Sequence, residues 1–146
     1  ELRGDRAVAP PRRGRKVVVC GDTCDAGALA AAAQGADLLV HEATNAYLPG
    51  LDRGTNREAI RRASVSHGHS TPEMAGAFAR RIGARRLVLN HFSPRYKGDN
   101  HRTSVYNMLQ IEDLAARAAG LPLDDVVAAW DLLSVSVPQS DDEVGH

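Results

Sequence analysis

Lysine is nearly missing from this chain: sixteen of its eighteen basic residues are arginine, and only Lys16 and Lys97 are lysine. Eighteen acidic residues balance them, for a net charge of zero. That balance excludes a uniformly basic domain gripping phosphates by charge alone, although arginine's planar fork leaves a local phosphate-binding face open. Aromatic residues make up 4% of the chain, too few for a platform that stacks single-stranded bases. The two cysteines, Cys20 and Cys24, form no CxxC pair, which excludes a disulfide scaffold and favours a reducing, intracellular setting. No stretch approaches the roughly 18 consecutive apolar residues of a membrane span, so no membrane partner is expected. The start carries no signal-peptide pattern; Pro10-Pro11-Arg12-Arg13 reads as a basic loop. It also lacks methionine, beginning at Glu1, so the chain is expected to begin inside a longer one.

What is present is enough for one domain or one lobe: 146 residues bury about two thirds of their unfolded surface without disulfides. The whole of 1–146 reads as part of a single domain, with 1–15 a loop or linker and an acidic tail, 138–146, frayed at the end. Residues 16–20 are a β-branched apolar run stopped by Gly21-Asp22-Thr23. An uninterrupted run of this kind suits a strand buried on both faces. Residues 36–40 and 86–89 are further buried-type strands, stopped by His41-Glu42-Ala43-Thr44 and Asn90-His91-Phe92-Ser93. Helices are expected over 25–33, 57–63 and 104–119. Another opens after Ser66-His67-Gly68-His69-Ser70-Thr71, where Ser70 and Glu73 have capping-box spacing, Pro72 lies in the first turn and Gly83 ends the helix. A late strand is expected over 126–137, with Trp130 in core or interface. Strands alternating with helices predict an α/β layered sheet with parallel or mixed pairing.

If the strands are parallel, their three polar terminators share the carboxyl edge of the sheet, where α/β folds build sites. The segment 66–71 can join them, because it opens a helix whose first amides attract anions. Carboxylates and imidazoles beside an anion pocket suit metal-assisted hydrolysis of a phosphate ester. Each element also has a plainer reading. Gly-Asp-Thr is equally a turn with Asp22 capping the next helix, and His41 a hydrogen-bonded structural residue. The arginine pairs at 61–62, 80–81 and 85–86 read as solvated helix faces, and His101 and His146 as surface residues.

Taken together, GRKVVVCGDT (14–23), ADLLVHEATNAYLPG (36–50), SHGHSTPEMAGAFA (66–79) and RRLVLNHFSPRYK (85–97) resemble ribonuclease Z, or tRNase Z, in its short form. That family comprises zinc phosphodiesterases of the metallo-β-lactamase superfamily. The resemblance implies an αββα sandwich, of which this chain supplies mainly the C-terminal half. It implies a zinc-dependent endoribonuclease that removes the 3′ trailer from precursor tRNA, working as a homodimer with two zinc ions. Residue by residue, Asp22 matches a carboxylate bridging the two metals and His91 an imidazole ligand of one. His69 matches a proton donor to the leaving 3′-oxygen, with Glu42 as its relay partner, a pairing suited to proton transfer near neutral pH. Ser70 and Thr71 match the site that holds the scissile phosphate. Arg95 and Tyr96 match an RY pair with no assigned catalytic role.

The family's HxHxDH ligand run and its exosite arm have no counterpart in these residues. Two zinc ions need more protein ligands than Asp22 and His91 supply. The chain on its own is therefore expected to bind zinc poorly, to cleave nothing, and to be marginally stable because half a sandwich exposes its inner sheet face. The alternatives are a non-catalytic lobe that binds tRNA or supports a partner, and another hydrolase of the same fold.

Overall fold

A computed structural model of the chain describes residues 14–137. Most of the expected 1–15 loop and all of the expected 138–146 tail lie outside the described residues. Four strands, β1 (Val17–Val19), β2 (Leu38–Glu42), β3 (Leu87–Asn90) and β4 (Val126–Ala128), form one sheet in the order β1-β2-β3-β4, and every pair is parallel. Between them run α1 (Ala30–Ala33), α2 (Arg57–Ser66), α3 (Pro72–Ile82) and α4 (Arg102–Ala119). Parallel neighbours in chain order require a crossover after every strand, and α1, α3 and α4 pack on one another along the sheet.

Register assigns the two faces. Leu39 pairs with Leu87 and Leu87 with Val126, and these side chains, with Leu89, are buried beneath the helices. Ile82 of α3 and Ile111 of α4, both fully buried, complete that core. The tightest approach is between α3 and α4, where a Cβ on Gly76 would collide with the Ala115 carbonyl. On the opposite face, Val17 and Val19 of edge strand β1 are 50% and 66% exposed, whereas Leu38 and Val88 of the inner strands are each 6% exposed.

Four expectations are corrected. The helix over 25–33 is only a 3-10 turn (Gly27–Leu29) running into α1. The Asp25 amide donates to Thr23 Oγ1 and the Gly27 amide to Asp25 Oδ1, so side-chain turns displace the helical ladder there. The late strand stops at Ala128. After Ala129 donates to the Leu89 carbonyl the ladder has no partner, and the chain turns through Leu132 at φ 68°. Trp130 is 65% exposed, not core. Finally, Arg85 and Arg86 introduce β3 instead of lining a helix, and face Asp37 at 3.7 Å and Asp125 at 3.5 Å.

Candidate metal centre

Because all strands run parallel, the ends of β1, β2 and β3 meet at one edge. Asp22 follows β1, Glu42 closes β2, and His91 follows β3. His69 reaches the same point from the turn between α2 and α3. One ligand atom each from Asp22, His69 and His91 lie within 4.8 Å of one another. The two imidazole rings are 5.1 Å apart, and His91 Nε2 is 3.3 Å from Asp22 Oδ2. Asp22 caps no helix; its side chain is 56% exposed at this edge.

Glu42 organises the cluster from beneath, at 1% exposure. Its Oε1 accepts from the Thr23 amide at 3.1 Å, the Ser70 amide at 3.0 Å and His69 Nδ1 at 3.2 Å. Its Oε2 accepts from the Thr44 amide at 3.1 Å and the Thr44 hydroxyl at 2.7 Å. Burial pushes the carboxyl upward, but the bonds from Thr44, Ser70 and Thr23 outweigh it and hold Glu42 below the usual range. Glu42 is thus a carboxylate that only accepts, and His69 Nδ1 carries the proton it shares with Glu42. Nε2 is then the ring nitrogen of His69 not engaged by Glu42.

The α3 cap sits one residue later than the capping-box spacing predicts. Thr71 is the N-cap and accepts from the Met74 amide at 3.4 Å. Pro72 at the first helical position forces Thr71 into an extended conformation, so Thr71 is the half-in residue. Ser70 is freed to donate its hydroxyl to the Thr23 carbonyl at 2.7 Å. With its amide on Glu42 as well, Ser70 has no donor left for a phosphate, and it ties the β1 end to the start of α3. His41, buried on the core face, makes a bond of 2.8 Å from Nδ1 to the Glu42 carbonyl and rests 5.8 Å from the Phe78 ring. His101 caps α4, its Nδ1 accepting from the Thr103 amide at 3.4 Å.

Several functional groups escape sequence reasoning. Thr44 and Thr23 are hydrogen-bonding partners of Glu42 that no spacing rule marks. Arg95 and Tyr96 are ties: Arg95 pairs with buried Asp52 at 2.7 Å, and the Tyr96 hydroxyl binds Ala46.

The trio fits a metal ion by chemistry and spacing. Tetrahedral zinc with donors at about 2.0–2.1 Å separates those donors by about 3.4 Å, close to the His91–Asp22 separation of 3.3 Å. Among the described residues no other group of three such side chains converges. Two ions call for more ligands than this trio contains.

No family model matches the chain. Ribonuclease Z of Pseudomonas putida KT2440 is 38% identical over 122 residues, 84% of this chain and 35% of that protein. Ribonuclease Z of Brevibacillus brevis is 39% identical over 93% of this chain and 37% of that protein. That of Bacillus subtilis 168 is 33% identical over 94% and 38%. Among solved structures, human tRNase Z, short form, superposes with a TM-score of 0.55 at 31% identity, covering 86% of this chain and 34% of that one. The chain thus spans about a third of the length of the relatives it matches, between 32% and 38%.

Proposed function

We propose that this chain, which belongs to the ribonuclease Z family, carries part of the active site of a zinc-dependent endoribonuclease that removes 3′ trailers from precursor tRNA. The observation that carries this reading is the trio Asp22, His69 and His91, with the His69 imidazole held from beneath by Glu42. Zinc, when bound, supplies Lewis-acid stabilisation of the charge that develops on the phosphate.

In this reading Asp22 and His91 hold the metal. His69, its Nδ1–H held by Glu42, acts from its doubly protonated form: Nε2 gives its proton to the leaving 3′-oxygen and the ring is left neutral, with Nδ1–H still on Glu42. Thr71, 4% exposed at the α3 N-terminus, lies where the helix dipole favours the scissile phosphate. Ser70, both donors committed, contributes by positioning. The same reading carries precursor tRNA as substrate, a homodimer as the working assembly and two zinc ions per site. Unpaired Cys20 and Cys24 support an intracellular setting. No helix among the described residues is long and apolar enough to cross a membrane.

The number of ligands favours a second reading for the chain by itself: a lobe that needs partner residues before it cleaves anything. Exchange of this chain for the matching third of the Bacillus subtilis relative tests both. The hybrid is expected to release 3′ trailers from precursor tRNA and to lose that activity in Asp22→Ala, while the 146-residue chain releases none. Hydrolysis of bis-p-nitrophenyl phosphate without tRNA cleavage would instead make it another hydrolase of this fold. A hybrid that binds zinc but cleaves neither would leave a non-catalytic lobe.

A further inference from the structure

We propose that Thr44 is a positioning residue for His91: its hydroxyl relays the Glu42 carboxylate to His91 Nδ1, so that one buried carboxylate orients both imidazoles of the trio. The inference rests on the reading of His91 as a metal ligand.

Proton counting makes the argument. The Thr44 hydroxyl has a single hydrogen and two neighbours, Glu42 Oε2 at 2.7 Å and His91 Nδ1 at 2.9 Å. Glu42 receives bonds from the amides of Thr23, Ser70 and Thr44 and from His69, an environment that only a carboxylate satisfies. A carboxylate donates nothing, so the Thr44 hydrogen belongs to Glu42. The hydroxyl oxygen then accepts, and His91 Nδ1 must be the donor. Neutral His91 is thereby held as the Nδ1–H tautomer, the minor form of free imidazole in water, with Nε2 turned to Asp22 Oδ2 at 3.3 Å. Glu42 thus reaches His69 directly and His91 through one hydroxyl, the arrangement by which outer partners fix the ring and tautomer of metal-ligating histidines.

Backbone geometry points the same way. His91 has φ 56°, the left-handed region that non-glycine residues seldom occupy. The Asn90 carbonyl on one side of it accepts from the Ala43 amide at 3.0 Å, and on the other the Ser93 amide donates to the Thr44 carbonyl at 2.9 Å. Thr44 therefore grips the His91 turn by main chain and side chain together. Valine keeps the shape and the main-chain bonds but lacks the relay; serine keeps the relay.

The test is ¹⁵N NMR of the metal-free hybrid, in which this chain replaces the matching third of the Bacillus subtilis relative, at alkaline pH, with zinc titration of the same samples. The expected result is an Nδ1–H tautomer for His91 in the wild type and in Thr44→Ser, and reversion toward Nε2–H in Thr44→Val. Zinc affinity is expected to fall about 10- to 100-fold in Thr44→Val, the usual cost of losing such an outer partner, and to be restored in Thr44→Ser. An Nε2–H tautomer in the wild type, or the same tautomer in wild type and Thr44→Val, overturns the relay whatever the metal does. Unchanged zinc affinity in His91→Ala overturns instead the reading of His91 as a ligand, so the two failures are distinguishable.

Discussion

Tyr96 closes its hydroxyl on both sides of the Ala46 peptide, accepting from the Ala46 amide at 2.8 Å and donating to its carbonyl at 3.1 Å. Both groups belong to a residue with no exposed surface, in the loop that leaves β2 through Thr44. The tyrosine follows the turn that carries His91. The loops that carry Thr44 and His91 are therefore stitched together through residues other than those two.

Tyr96→Phe removes this stitch and nothing else of size. It leaves the Ala46 amide and carbonyl buried without partners, which costs about 1–3 kcal/mol. Urea denaturation is expected to show that loss, accompanied by weaker zinc binding as His91 and Thr44 lose their register. Full stability in the phenylalanine variant would show that the stitch is dispensable.

Arg95 supplies the second tie. Its guanidinium meets Asp52 Oδ1 at 2.7 Å, while the other Asp52 oxygen accepts from the Leu48 amide at 2.8 Å. The Asp52 side chain is 6% exposed, whereas Arg95 keeps 32% of its own surface in water. Removing one partner of a fully buried pair costs about 3–5 kcal/mol. Water at the arginine end lowers the expected loss in Arg95→Ala to about 2 kcal/mol. Asp52→Asn, which keeps the Leu48 bond without the charge, is expected to lose less in the same denaturation series.

These ties mark the limit of what the sequence makes legible. The convergence of Asp22, Glu42 and His91 is readable because buried runs with polar terminators imply strands whose ends share an edge once they are parallel. The loops between can vary without moving that edge. The Thr44 relay is not readable in the same way, since it depends on a left-handed turn at His91 that no periodicity encodes. Ser70 and Thr71 differ as caps by one residue, a choice settled by the restriction Pro72 places on its predecessor. The segment after Ala128 alternates valine and serine as a strand does, yet β3 ends at Asn90 and offers no further ladder. Pattern specifies what a residue is suited to, and neighbours decide whether it finds a partner.

Gly76 is a packing position, and its substitution separates helix propensity from contact. A Cβ there would collide with the Ala115 carbonyl and lie 2.9 Å from Ala118 Cβ and 3.0 Å from the Ala119 amide. Alanine gains about 1 kcal/mol of helix propensity over glycine. Backbone cannot yield as a flexible side chain does, so Gly76→Ala is expected to lose about 1–3 kcal/mol net by parting α3 from α4. Thermal melts of this variant beside Gly50→Ala, where a Cβ meets nothing within 4 Å, check the sign.

Glu112 gives a pH dependence whose sign is fixed by its surroundings. It lies half-buried on α4, and its Oε1 accepts from the Ala128 amide at 2.8 Å, tying the helix to β4. Burial pushes its carboxyl above the usual glutamate range, and the Ala128 bond only partly offsets that. The folded chain therefore binds this proton more tightly than the unfolded chain does. Stability from this group is complete below glutamate's ordinary pKa of about 4.3 and is lost as pH rises through the elevated folded value. Glutamine stays neutral throughout, and its amide oxygen still accepts from Ala128. Glu112→Gln is thus expected to match the wild type in acid and to exceed it at neutral pH, with the gap opening across the glutamate range. Urea midpoints measured against pH would show it, and parallel curves would mean that Glu112 carries its charge in the fold without cost.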